Sequence, residues 1–227
     1  MFFLKRFKIF FCSLLFITVI KTSISDTPKF TEAHKLLVSK KHLENLITPT
    51  KLKYIFKKTG TLEPGFNDRV IMVVSEKDKD GYYNIGFDFF SGYNKEDLTS
   101  AKYKFNNPII HAFWDHDIAT MTRITKGSVI YFRKRITWSL SDENKFNISD
   151  ATCEYNGKQF KGKTLEHTPY EEDYDSKKFI KYAKKKYYVT TCDEIPGMIY
   201  QIKTIIPSED SKKPLMKEIL TFEKILN

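Results

Sequence analysis

The sequence predicts an α+β, β-rich domain in which a curved antiparallel sheet of half-barrel type carries one helical insertion. Three observations predict it. Period-two alternation recurs from Leu52 to the C-terminus, turn dipeptides suited to positive φ separate the alternating runs, and one central stretch changes to a helical period.

The chain opens with Lys5, Arg6 and Lys8 ahead of the apolar run Ile9 to Ile20, the layout of a secretory signal. That run is shorter than the roughly 20 residues a helix needs to cross a bilayer. Ser23-Ile24-Ser25 places small residues before Asp26, so residues 1–25 read as a signal peptide cut between Ser25 and Asp26. Cys12 lies inside the apolar run, away from the position of a lipidated first residue. The expectation is an exported chain, periplasmic or secreted, with no transmembrane segment after cleavage. The 38 Lys plus Arg against 28 Asp plus Glu fall to 34 against 28 once Lys5, Arg6, Lys8 and Lys21 are removed. A surplus of that size favours an anionic surface but does not single out nucleic acid.

Each element follows in order. Residues 26–50 form a lead-in with a short helix carrying Ala33, Leu36, Leu37, Leu43 and Leu46 before Pro49. A single domain then runs over 51–227. Leu52, Tyr54 and Phe56 mark a half-buried strand, and Arg69 to Glu76 a strand apolar on both faces. Tyr83, Ile85, Phe87 and Phe89 share one face of the next strand, and Asp80-Gly81 makes the pair a hairpin. A further strand passes through Tyr103 and Phe105 toward Pro108. Asp117 reads as the N-cap of a helix through Ile118, Met121 and Ile124 that stops at Gly127. A second helix after Ser128 carries Val129, Phe132, Ile136 and Leu140, which places the helical insertion at about 117–141. Asn156-Gly157 joins strands around 146–154 and 158–166, and Pro196-Gly197 joins 185–193 to 198–206. The closing segment, with Leu215, Ile219, Phe222 and Leu226, suits a helix or a strand, and the run of hairpins before it favours strand.

Cys153 and Cys192 are the two cysteines of the mature chain. In an oxidising compartment they form a disulfide, the alternative being two separate buried thiols.

The candidate chemistry is sparse. His111, Asp115, His116 and Asp117 supply imidazoles and carboxylates that could ligate a metal or exchange protons, and a small exported hydrolase using this segment is one reading. Their spacing matches no metal motif, no nucleophile elbow or phosphate-binding loop occurs, and no metal or cofactor is expected. Asp78-Lys79-Asp80-Gly81 reads as a turn rather than a calcium loop. The acids Glu171, Glu172, Asp173 and Asp175 read as a solvated loop. Lysines and aromatics interleave from Lys177 to Tyr188 in a pattern that suits an anionic lipid surface or a guarded strand edge.

The order of hairpins around a helical insertion resembles the curved half-barrels of bacterial periplasmic lipoprotein carriers and similar envelope proteins. The resemblance covers most of residues 51–227 and rests on element order; it departs from lipid-anchored members in lacking a lipidated Cys. It implies a non-enzymatic envelope protein that holds a lipid, a lipoprotein segment or another amphipathic ligand. Tyr83, Ile85, Phe87, Phe89, Trp114 and Trp138 are the candidate ligand-binding residues. An adaptor that presents a sheet edge to an envelope protein partner is the third reading.

Overall fold

Alternation turns into strands along most of the chain, and the strands join into one sheet. The computed structural model describes residues 30–171, 179–210 and 212–226. Residues 1–25, where a signal peptide is expected, and the expected cut after Ser25 lie outside the described residues, as do Glu172, Asp173, Asp175, Lys177 and Lys178. Among the described residues nine strands form the sheet: β1 (Thr50–Gly60), β2 (Phe66–Lys77), β3 (Tyr83–Phe89), β4 (Ala101–Tyr103), β5 (Phe146–Tyr155), β6 (Lys158–His167), β7 (Lys186–Thr191), β8 (Ile199–Ile206) and β9 (Met216–Leu226). Their order is β4-β3-β2-β1-β9-β8-β7-β6-β5, every pair antiparallel, so the first and last strands meet in the middle. This is the predicted α+β architecture, a curved open sheet with helices on one face.

The closing segment is a strand because Leu220 and Phe222 meet Phe56 and Tyr54 in register. On β1, Leu52, Tyr54 and Phe56 are buried while Lys51, Ile55 and Lys57 are exposed on the other face. Asn156 and Gly157 both take positive φ, at 51° and 71°, the geometry that matches a two-residue hairpin to strand twist. Asp78 accepts from the backbone N–H groups of Asp80 and Tyr82 and pairs with Lys102, so its segment is a turn.

Hairpin β5–β6 projects past β7, which pairs β6 only over Lys163 to His167. Its tip returns to the middle of the sheet, where the ring of Tyr155 lies 5.3 Å from that of Phe222. The Cys153–Cys192 disulfide ties the hairpin down. Gly162 gives it room, since a Cβ there would stand 2.2 Å from the Cys192 sulfur.

Two helices lie on the inner face, α2 (Ile109–Thr125) and α3 (Val129–Ser139), between the shorter helices α1 (Glu32–His34) and α4 (Ile180–Ala183). The insertion therefore starts at 109 rather than 117, which corrects the expected boundary. Asn107 and Pro108 supply the start: the Asn107 side chain accepts from the Ile109 N–H at 3.0 Å. Asp117 is not an N-cap but a buried residue in the middle of α2. On α3 the stripe is Phe132, Ile136 and Leu140, whereas Val129 at the first turn is exposed. Phe105 also falls outside its expected strand, because β4 stops at Tyr103.

The lead-in is a chain of short turns rather than one helix: α1 runs on into a π-turn over Lys35–Ser39, and a 3₁₀ turn follows at His42–Asn45. It is fastened by His42, which is fully buried, donates from Nε2 to the Leu36 carbonyl and accepts the Asn107 N–H on Nδ1. Burial holds this imidazole neutral, with its pKa pushed down to about 4.

Candidate functional site

The segment His111 to Asp117 spans two turns of α2, and its four titratable residues point two ways. His116 and Asp117 face the sheet and are buried; His111 and Asp115 face α3. At about 100° per residue, the five-residue step from His111 to His116 separates them by roughly 140° around the helix. They do not converge on one site.

On the sheet side the chain of contacts alternates in sign. Arg123 grips Glu63, Glu63 meets Lys58 at 2.7 Å, Lys58 stands 3.5 Å from Glu218, Glu218 stands 3.7 Å from His116 Nε2, and His116 Nδ1 meets Glu96 at 2.6 Å. Phe56, Phe89 and Phe90 set their rings within 6 Å of the His116 ring. Burial opposes charge on His116, but Glu218 and Glu96 outweigh it and raise its pKa to about 9. Burial likewise opposes charge on Glu218, and His116, Lys185 and Lys58 together hold its pKa down near 2. Glu63 is held at about 2, chiefly by Arg123. Beside this chain, Asp117 pairs with Lys185, accepts 2.6 Å from the Tyr187 hydroxyl, and Tyr187 meets Tyr170 at 2.8 Å. Asp117, Lys185 and Glu218 have no exposed surface. His116, Asp117, Lys185 and Glu218 are buried where α2 meets the sheet, so their pairing locks α2 to it.

Sequence reading missed Lys58, Glu63, Glu96, Lys185 and Glu218. Two of them carried a signal: Lys58 continues the inward row of Leu52, Tyr54 and Phe56, and Glu218 interrupts that of Met216, Leu220 and Phe222. A charge on an apolar row requires a buried partner.

On the other side α2 and α3 leave a cleft of about 460 Å³ lined by Tyr103, His111, Trp114, Asp115, Ile118, Arg133, Ile136 and Thr137. Its inner part is apolar, from Ile118, Ile136 and the buried body of Trp114, whose Nε1 has no hydrogen-bond partner among the described residues. Its mouth is polar: Arg133 pairs with Asp115 at 2.8 Å, and both are exposed. His111 takes a 2.8 Å contact from Asn106, its ring lies over that of Tyr103, and burial lowers its pKa. Such a cleft can take an apolar body and hold a polar end at its mouth.

Of the candidate ligand-binding residues, only Trp114 lines this cleft. Tyr83, Ile85 and Phe89 are buried in the core and Phe87 is half-buried against it; Tyr83 pairs across the sheet with Tyr103 of the cleft wall, whereas the Phe89 ring packs near His116 on the sheet side of α2. Trp138 is 56% exposed, under the guanidinium of Arg135, and is not brought to the others. Among the described residues no group of three or more His, Cys, Asp or Glu is placed to hold a metal ion.

These features define a curved antiparallel sheet with two inner helices and a cleft between them. No family model matches the chain, and no curated protein matches it. Among solved structures it is similar to the crystal structure of the Mycobacterium tuberculosis lipoprotein LppX, at 12% identity and a TM-score of 0.33, covering 79% of this chain and 90% of that one. That is a loose likeness of layout and carries nothing about ligand or site. Among the described residues no helix is long and apolar enough to cross a membrane.

Proposed function

We propose that this chain is a non-enzymatic exported binding protein that takes the apolar part of a lipid or another amphipathic molecule into the α2–α3 cleft. The cleft itself carries the reading: about 460 Å³, apolar inside and polar at the mouth, within the roughly 300–1,000 Å³ of small-molecule sites. Trp114 touches the ligand in this account, and Tyr83 backs the cleft wall through Tyr103. The Cys153–Cys192 disulfide supports an oxidising compartment outside the cytosol, periplasmic or secreted. A lipoprotein segment could present the same chemistry as a free lipid.

The test is native mass spectrometry of the processed protein purified gently from its own cells, followed by extraction of bound species. The expected spectrum carries a lipid-sized adduct that disappears in Thr137→Phe, a substitution at an exposed lining position that fills the cleft without touching the core. An empty wild-type protein, or an adduct unaffected by that change, would contradict the proposal.

A further inference from the structure

The face of the sheet turned away from α2 and α3 is a lattice of cations and aliphatics. Strand pairing places Lys51, Lys53 and Lys57 of β1, Arg69 of β2, Lys102 of β4, Lys186 of β7, Lys203 of β8, and Lys217 and Lys224 of β9 on it. Three carboxylates share that face, and each is taken: Asp88 by Arg69, Glu166 by Lys186 and Glu223 by Lys53. Lys51, Lys57, Lys203, Lys217 and Lys224 have no acidic partner within ion-pair distance among the described residues, and of these Lys203 alone rests its ammonium on a ring, that of Tyr188 at 4.0 Å. These five lie on the central strands β1, β9 and β8, where an edge-guarding role does not apply.

Aliphatic side chains fill the spaces between them. Ile55, Ile71, Val73, Ile205 and Ile219 occupy the same face by register, and Val73 is 39% exposed. At one end the face runs into a groove of about 670 Å³ lined by Ile47, Pro49, Val73, Ile225 and Leu226. Ile47 is 92% exposed there, and Lys51 stands in the groove wall. Unpaired ammonium groups around exposed aliphatics match a surface that offers phosphate charge above hydrocarbon.

We propose that this outer face docks on a bilayer rich in anionic lipid, with the unpaired lysines on headgroup phosphates and the Ile47–Val73–Ile225 groove against the acyl boundary. This surface is separate from the α2–α3 cleft and does not depend on the cleft binding anything. A protein so oriented would hold its helices, and the mouth between them, away from the membrane.

Co-sedimentation of the processed protein with phosphatidylglycerol/phosphatidylcholine vesicles, and with pure phosphatidylcholine vesicles, tests it. Binding is expected only with the anionic lipid, weakening as salt rises. The combined Lys51→Glu, Lys57→Glu and Lys217→Glu variant should lose binding by at least about tenfold, from the loss of attraction near an anionic surface. A variant with the same charge change elsewhere, Lys134→Glu, Lys158→Glu and Lys161→Glu, should stay close to wild type, with thermal unfolding used to confirm that both are folded. Equal losses in the two variants, binding indifferent to anionic lipid, or retention on heparin or nucleic acid without retention on vesicles would each overturn the proposal. Thr137→Phe should leave vesicle binding unchanged, which separates failure here from failure of the cleft.

Discussion

The two sides of α2 use similar residues to opposite ends. Toward the sheet, His116 and Asp117 are enclosed by partners of opposite charge and by phenylalanine rings; toward α3, His111 and Asp115 border an open cleft. The difference teaches that a polar cluster in sequence is two clusters once a helix divides it. The inward pair holds the helix in place, and the outward pair is left available because the inward pair does so.

Removing one inward partner should give the largest effect. Glu218→Ala leaves Lys58 and His116 without their shared carboxylate, and Asp117→Ala leaves Lys185 buried and unpaired; each should cost about 3–5 kcal/mol in chemical denaturation. A loss below about 1 kcal/mol in either would show that the inward charges do not lock the helix.

The pH profile comes next. His42 and His167 have folded pKa values lowered to about 4 and about 3, so the stability they lend is present above 6.5 and falls as pH drops toward those values. His116 is raised to about 9, so its contribution is full below 6.5 and is lost as pH rises through 9. Stability should therefore peak near pH 6.5 and fall by on the order of 2 kcal/mol per histidine at pH 5, with a comparable loss by pH 9. Denaturant midpoints across that range check it, and a flat profile would refute the assignment of His116 as a buried cation.

How much of this was legible depended on whether a signal was local. Hairpins at Asp80-Gly81, Asn156-Gly157 and Pro196-Gly197 could be read because the turn residues and the alternation beside them are neighbours in the chain. The start of α2 could not, because Asp117 has the chemistry of an N-cap and only the tertiary partners Lys185 and Tyr187 reveal that it is buried mid-helix. The cleft was half legible. Trp114, His111 and Asp115 stood out by residue type, but Arg133, Ile136 and Thr137 reach them only through the turn at Lys126 and Gly127 that sets α3 against α2.

Outward substitutions should be mild. Asp115→Asn opens an exposed pair with Arg133 and should change stability by no more than about 1 kcal/mol, with the effect read at the cleft mouth instead.

Trp114 allows the most direct measurement of the central claim. Trp138→Phe leaves it as the one tryptophan of the chain, in the wall of the cleft. Titration of that variant with a long-chain fatty acid or a lysophospholipid should shift its emission saturably, and adding Thr137→Phe should abolish the response. An emission spectrum that stays constant through the titration, in a protein shown to be folded, would contradict the account of α2 as a locked helix with a ligand on its open side.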